Sequence, residues 1–285
     1  MKSWKKLGVI AGGGEVPVVL AEHLAATGQP YFIARIAPMA DAALAKHPGA
    51  DHGLGAMGAR MAAMREAGCD AVVLIGQVAR PDMSTLQLDD GAMAMLPALL
   101  AAMPQGDDAL LRAVLTEHER AGFRVVGVDE AMEDLLAPQG AWGAVQPTSA
   151  HMKDIAKAAK VAAASGAFDI GQGVVVCDGL VLAVEAQEGT DEMLRRVANL
   201  PAPIRGSAEA RRGALVKRPK PIQERRIDLP TVGVRTVEGA ARAGLAGIAV
   251  EAGGALTVRR DALVAAADAA GMFVYGFTPS DVGES

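Results

Sequence analysis

The chain has 285 residues, with 28 Lys and Arg against 33 Asp and Glu, a formal net charge of −5. Hydrophobic residues make up 51 % of it, which excludes global disorder, and the length suits two domains or one large one. Nine aromatics against 58 alanines and 33 glycines set close helix-on-sheet packing ahead of an aromatic-rich β-sandwich.

Two cysteines, Cys69 and Cys177, cannot build a disulfide framework; both sit in apolar, strand-like surroundings and read as buried thiols of a reducing cytoplasm. No uncharged apolar run reaches the ~20 residues of a membrane-spanning helix. The stretch after Lys2, Lys5 and Lys6 is broken by three glycines and Glu15, so it reads as a first strand rather than a signal peptide. A soluble protein is expected.

Taken in order, 6–11 reads as a strand, followed by glycines and a helix over 16–26 that Gly28 ends. Strands over 31–36 and 70–75 flank a helix over 56–67. Helices are expected at 91–103 and 107–121, with one of Asp107 and Asp108 as N-cap of the second. A strand at 123–128 and a short helix at 130–136 close the first half. Strands spaced by helices imply parallel pairing through right-handed crossovers, hence a doubly wound sheet in a domain over 1–136. Residues 137–149 carry no charge, two prolines and two glycines, the composition of a linker. The domain over 150–285 begins with a helix at 151–164 and a hairpin over 173–176 and 180–185, turning near Asp178-Gly179. Thr190 is expected to cap the next helix. A helix at 236–243, strands at 247–250 and 255–258, a helix at 261–270 and a strand at 272–276 follow, making this half α/β as well.

Between Arg205 and Arg226 stand eight basic residues and two acids, a local balance of +6. Such a cluster is either a solvated face or a surface for a polyphosphate or an anionic membrane. The acidic remainder and scarce aromatics argue against nucleic acid. Prolines 219, 221 and 230 make the segment extended or loop-like rather than helical.

Gly12, Gly13 and Gly14 follow a strand and open a helix, where glycines admit a phosphate to free N–H groups or simply permit a tight turn. Pro17 replaces the third glycine of a dinucleotide fingerprint, and Arg35 stands where an NAD site wants an acid. No zinc, serine-esterase or P-loop pattern occurs. The densest polar cluster holds Glu185, Glu188, Thr190 and Asp191, closing an apolar strand and opening a helix, then Lys217, Lys220, Gln223, Glu224 and Asp228. Phosphoanhydride cleavage needs such cations, a divalent ion on oxygen ligands and a carboxylate. Asp228, between Ile227 and Leu229, is either held rigidly away from bulk water or paired with a nearby arginine.

Several stretches together resemble one family. They are Ile-Ala-Gly-Gly-Gly-x-x-Pro at 10–17, Gly76-Gln-Val-Ala-Arg-Pro81, Gly106-Asp-Asp-Ala-Leu-Leu111 and Leu135-Leu-Ala-Pro-x-Gly140. In the second half they are Asp169-Ile-Gly-Gln-Gly173, Val184-Glu-Ala-Gln-Glu-Gly-Thr-Asp191, Lys220-Pro-Ile-Gln-Glu-Arg-Arg-Ile-Asp-Leu-Pro-Thr-Val-Gly233 and Ala246-Gly-Ile-Ala-Val-Glu-Ala-Gly253. The chain thereby resembles the two-domain UDP-2,3-diacylglucosamine pyrophosphatases of lipid A synthesis, which are unrelated to the calcineurin-like phosphoesterases.

The resemblance implies a Rossmann-like N-terminal domain, a family-specific α/β C-terminal domain and substrate held between them. It implies Mg²⁺-assisted hydrolysis to UMP and 2,3-diacylglucosamine 1-phosphate (lipid X), with water attacking the sugar-side phosphorus. Asp228 is then the catalytic, metal-organising carboxylate. Glu224 stands where the family often has Asp, which puts more weight on Asp228. Substrate contacts are expected at Gly12, Gly13, Gly14, Gly76, Gln77, Glu188, Thr190, Asp191, Lys217, Lys220 and Gln223. A lipid substrate places the protein at the inner face of the cytoplasmic membrane as a peripheral protein. Met93, Met95 and Met103 fit either core packing or a pocket for acyl chains. A homodimer is expected only as the common state of soluble enzymes. Competing readings are a Rossmann-type NAD(P) oxidoreductase and a non-catalytic carrier of a nucleotide-linked acylated sugar.

Overall fold

The computed structural model describes residues 4–79, 82, 86–222, 224–226 and 228–284. The chain forms two compact units, Met1–Glu133 with Arg226–Asp228, and Asp134–Arg225 with Leu229–Ser285.

In the first unit β1 (Leu7–Ala11), α1 (Glu15–Ala26), β2 (Tyr31–Ala37), β3 (Gly49–Gly53) and α2 (Met57–Glu66) follow one another. Next come β4 (Ala71–Ile75), α3 (Asp90–Ala102), α4 (Asp107–Arg120), β5 (Arg124–Val125) and α5 (Val128–Ala131). Among the described residues the strands form one parallel sheet in the order β3-β2-β1-β4-β5. That is the expected doubly wound arrangement, with the chain reversing direction between β1 and β4. Ile10, Ala34, Ile36 and Val72 meet Met61 and Met64 of α2 and Leu115 of α4 in one buried cluster. The short β5 replaces the longer strand expected over 123–128, because the chain already turns into α5 at Val128.

β3 was not expected from the sequence. Its residues, Gly-Ala-Asp-His-Gly, carry no β-branched side chain, and it lies at the sheet edge where polar residues stay wet. Its Asp51 pairs with Arg35, so that arginine is committed to the fold.

Asp89 joins two helix starts. Its carboxylate accepts from Ala92 N–H, capping α3, and from Gly58 and Ala59 N–H at the start of α2. Burial raises its pKa, but those three N–H groups and Arg60 outweigh burial and hold it below the ordinary value. Asp89→Ala is expected to cost about 2–3 kcal/mol, as two caps are lost together. The depressed pKa makes the wild-type advantage present at neutral pH and lost as the pH falls through the carboxylate range. Urea titrations of both proteins at pH 7 and pH 3.5 check this, the difference shrinking at the lower pH.

The α4 start differs from expectation. Gly106 (φ +111) occupies the N-cap without a side-chain cap, and Asp107 and Asp108 lie in the first turn, Asp108 pairing with Arg112. Carboxylates there still favour the helix dipole.

His118 of α4 is 1 % exposed, and its Nδ1 lies 2.8 Å from the Val114 carbonyl. Burial first, then the charge of Arg60, hold its pKa down to about 4. Between its unfolded value near 6.5 and that figure the unfolded chain binds the extra proton, so stability falls as the pH drops through this window. A loss of about 2–3 kcal/mol is expected across it. Melting temperatures from pH 7 to 4.5 are the check, with a flatter curve expected for His118→Gln.

The second unit contains β6 (Gly140–Ala141), α6 (Ser149–Ala167), β7 (Gly173–Cys177), β8 (Leu180–Val184), α7 (Gly189–Ala198) and α8 (Ala202–Arg205). β9 (Ala214–Lys217), β10 (Thr231–Val232), α9 (Val234–Arg242), β11 (Gly247–Glu251), β12 (Leu256–Thr257), α10 (Arg260–Ala269) and β13 (Phe273–Phe277) complete it. Among the described residues one sheet runs β6-β13-β11-β9-β7-β8, parallel across β9, β11 and β13 and antiparallel at both margins. Alternate residues feed its two faces. Val175, Leu215, Ile248 and Val274 meet Met193 and Leu194 of α7, Val237 of α9 and Leu263 of α10. Val174, Val176, Val216 and Phe273 meet Ile155, Ala158 and Ala162 of α6.

Within the stretch 137–149 that reads as a linker, β6 pairs with β13, and Asp268 accepts from Ala144 N–H. The basic segment holds β9, a central strand, between its charges. The hairpin turn falls at Asp178 (φ +49) and Gly179 (φ +79), as expected. Cys69 and Cys177 are buried free thiols, both pushed up to about 11 by burial. Among the described residues no helix is long and apolar enough to cross a membrane.

Candidate functional site

In the first unit the expected glycines converge. Gly12, Gly13 and Gly14 leave the C-terminal end of β1, Gly76 and Gln77 that of β4, and these two strands flank the reversal of strand order. Ligands of doubly wound sheets bind at that position. The two loops are themselves joined, Gly13 N–H to Gln77 O at 2.8 Å and Gln77 N–H to Gly13 O at 2.9 Å, while Gly12 N–H donates to Ile75 O. The amides of Gly12 and Gly13 are therefore used within the protein. Gly14 (φ +89) occupies the N-cap of α1, which has no side-chain cap, and Pro17 has no N–H to satisfy. The first turn of α1 is thus where this loop presents N–H groups to an anion.

In the second unit the polar stretches meet at the C-terminal end of β9. Lys217 is 5 % exposed, and its ammonium donates to Thr190 Oγ1 at 2.8 Å and to the Thr231 carbonyl at 3.2 Å. Lys220 pairs with Asp169 at 2.6 Å. Arg218 bridges Glu251 at 3.0 Å and Glu284 at 2.9 Å.

Two further residues expected as substrate contacts are ion-paired. Glu188 pairs with Arg196 and Asp191 with Arg235, both at 2.6 Å. The Glu188 carboxyl lies below its ordinary value, through its own backbone N–H first, with Arg196 also lowering it and burial opposing both. An open depression of about 490 Å³ beside this pair is lined by Val184, Ala186, Glu188, Glu192, Arg195 and Arg196.

Thr190 does not cap its helix. Glu188 takes the N-cap, so Thr190 lies inside the first turn, where its hydroxyl donates to Glu185 Oε1 at 2.8 Å. Glu185, the acid that closes the apolar run 180–184 and opens the polar stretch 185–191, is thus the partner of Thr190. Thr231 joins the cluster through its carbonyl, without having been singled out from the sequence.

The +6 segment is largely consumed by the fold. Arg205 and Arg211 donate to backbone carbonyls, Arg212 pairs with Asp178, Arg226 with Glu119, and Arg225 reaches Gly253 O. With Lys217, Arg218 and Lys220, each of its eight cations has a protein partner.

Glu224 and Asp228 are half-buried on the connection between β9 and β10. Gln223 lies outside the described residues. Among the described residues no group of three or more His, Cys, Asp and Glu side chains is gathered as a metal cage.

Comparison with known proteins agrees with the resemblance. Residues 6–135 match the LpxI N-terminal domain and residues 138–275 the LpxI C-terminal domain. The UDP-2,3-diacylglucosamine pyrophosphatase LpxI of Caulobacter vibrioides is 54 % identical over 277 residues, covering 97 % of this chain and 99 % of that protein. On two matched domains and near-complete coverage, the chain belongs to the LpxI family.

Proposed function

We propose that the protein hydrolyses UDP-2,3-diacylglucosamine to UMP and 2,3-diacylglucosamine 1-phosphate, as the name of its Caulobacter relative states the substrate. The observation that carries this is the gathering, at strand ends within each unit, of the stretches that bear the resemblance.

Phosphoanhydride hydrolysis asks for an oriented water and neutralisation of the charge that builds on phosphate oxygens. The first turn of α1 contributes N–H groups and a partial positive charge for an anionic group. Asp228 is assigned as the catalytic carboxylate, with Glu224 in support. Both offer the hard oxygens that Mg²⁺ prefers, and one or two carboxylates plus substrate phosphates are its ordinary ligand set. When bound, magnesium supplies charge neutralisation at the phosphate oxygens. Asp228 orients the attacking water toward the sugar-side phosphorus, leaving UMP to depart.

The diacyl substrate supports work at the cytoplasmic membrane face as a peripheral protein. α3 fits that role, since beyond Asp90 its residues 91–102 are uncharged and mostly apolar, and Met93 and Leu100 among them are 53 % and 50 % exposed. A homodimer remains the proposed assembly.

The test is turnover of UDP-2,3-diacylglucosamine in H₂¹⁸O with Mg²⁺, with and without EDTA. Label in the sugar phosphate, and loss of activity with EDTA, are expected. Label in UMP would overturn the assigned phosphorus, and no turnover would replace the enzyme with a carrier.

A further inference from the structure

Lys217, Thr190 and Glu185 form a hydroxyl-bridged chain in which the two charged ends are buried and Thr190 is half-buried. A hydroxyl has a single hydrogen, so its direction is set: the Lys217 ammonium donates to Thr190 Oγ1, and Thr190 donates to Glu185 Oε1, each at 2.8 Å. Glu185 is 6 % exposed, and among the described residues its buried Oε2 meets no hydrogen-bond partner. The backbone builds the recess that holds it. Glu185 N–H donates to Gly173 O at 2.8 Å, and Gly173 is the register partner of Lys217. A Cβ on Gly173 would stand 2.3 Å from Glu185 Oε2, so the carboxylate lies in space that only glycine leaves open.

Burying two opposite charges is poorly repaid in stability, since apolar residues of like volume usually serve as well. A positional role accounts for the arrangement better. The second acceptor of the Lys217 ammonium is the carbonyl of Thr231, three residues beyond Asp228. We propose that Glu185 is a positioning residue: through Thr190 it aims the Lys217 ammonium, which holds the Thr231 carbonyl and with it the backbone leading from Asp228. This rests on the pyrophosphatase reading, with Asp228 as its carboxylate.

Steady-state kinetics on UDP-2,3-diacylglucosamine with Mg²⁺ test it in the full chain and in Thr190→Val, Thr190→Ser, Glu185→Gln and the Val/Gln double variant. Thr190→Val is expected to lower kcat tenfold or more with KM within twofold, and Thr190→Ser to recover kcat to within threefold of the parent. Glu185→Gln, which keeps the shape and the acceptor but drops the charge, is expected to lower kcat as far, and the double variant no further. Melting curves confirm folding; if Glu185→Gln does not fold, the Val and Ser pair decides. A kcat for folded Thr190→Val within twofold of the parent overturns the inference alone, as does a loss that Thr190→Ser fails to recover. Absence of turnover in the parent overturns the pyrophosphatase reading and the inference with it.

Discussion

Asp228→Ala is expected to lower kcat by about three orders of magnitude or more, which corresponds to ~4 kcal/mol of transition-state stabilisation. The melting temperature is expected to stay within a few degrees of the parent. The two expectations separate because Asp228 is half-buried on a connection between strands, where no core side chain is removed. A carboxylate that orients water acts on the reaction rather than on the ground-state complex, so substrate affinity is retained while turnover is lost. Calorimetric binding of the substrate to the variant, beside single-turnover kinetics, checks both halves. A variant that turns over within tenfold of the parent removes Asp228 from the mechanism. A variant that loses binding and melting temperature together makes it a structural residue.

Gly76→Ala is expected to cost roughly 2–4 kcal/mol, because it combines a positive φ with a close approach of two loops. Gly76 has φ +95, and a Cβ there would stand 2.7 Å from both Gly13 O and Pro17 Cγ. Neither obstacle is the end of a flexible side chain. Relief would separate Gly13 from Gln77, whose two mutual hydrogen bonds tie the β1 and β4 loops together. Activity is expected to fall with stability, because the same displacement moves the N-cap of α1. Gly28→Ala is the control. It also has positive φ, but among the described residues nothing lies within 4 Å of its added Cβ, so a cost of about 1 kcal/mol is expected. Chemical denaturation of the two variants is the comparison. Equal costs would show that backbone strain, and not the close approach of the two loops, decides the position.

Hydrophobic periodicity is a local property, and the elements that carry it were legible. The runs read as strands at 6–11, 31–36 and 70–75 became the central strands β1, β2 and β4, and the helical stretches after the first and before the last became α1 and α2. The glycine turn after β1, the Asp178-Gly179 hairpin and the burial of both cysteines followed from residue chemistry at single positions. Family membership was legible too, because its motifs are strings of adjacent residues.

Elements short of β-branched residues were missed. β3 has none, β6 is two residues long, and β9 lies between basic neighbours that mask its Ala-Leu-Val core, whereas β12 falls within the strand expected at 255–258. What places such segments in a sheet is the partner strand, which brings burial and a ladder of hydrogen bonds that no window of sequence contains.

The same division runs through the candidate site. By itself the sequence determined which residue types were available, where the glycines and charges stood and which family they spell. Only the tertiary structure decided that Lys217 turns inward to Thr190, 27 positions away, and that Arg218 meets Glu284, 66 positions away. Charged and hydroxyl side chains take whichever partner the fold delivers, and burial requires that they have one, so their roles are fixed by long-range packing rather than by their neighbours in the chain.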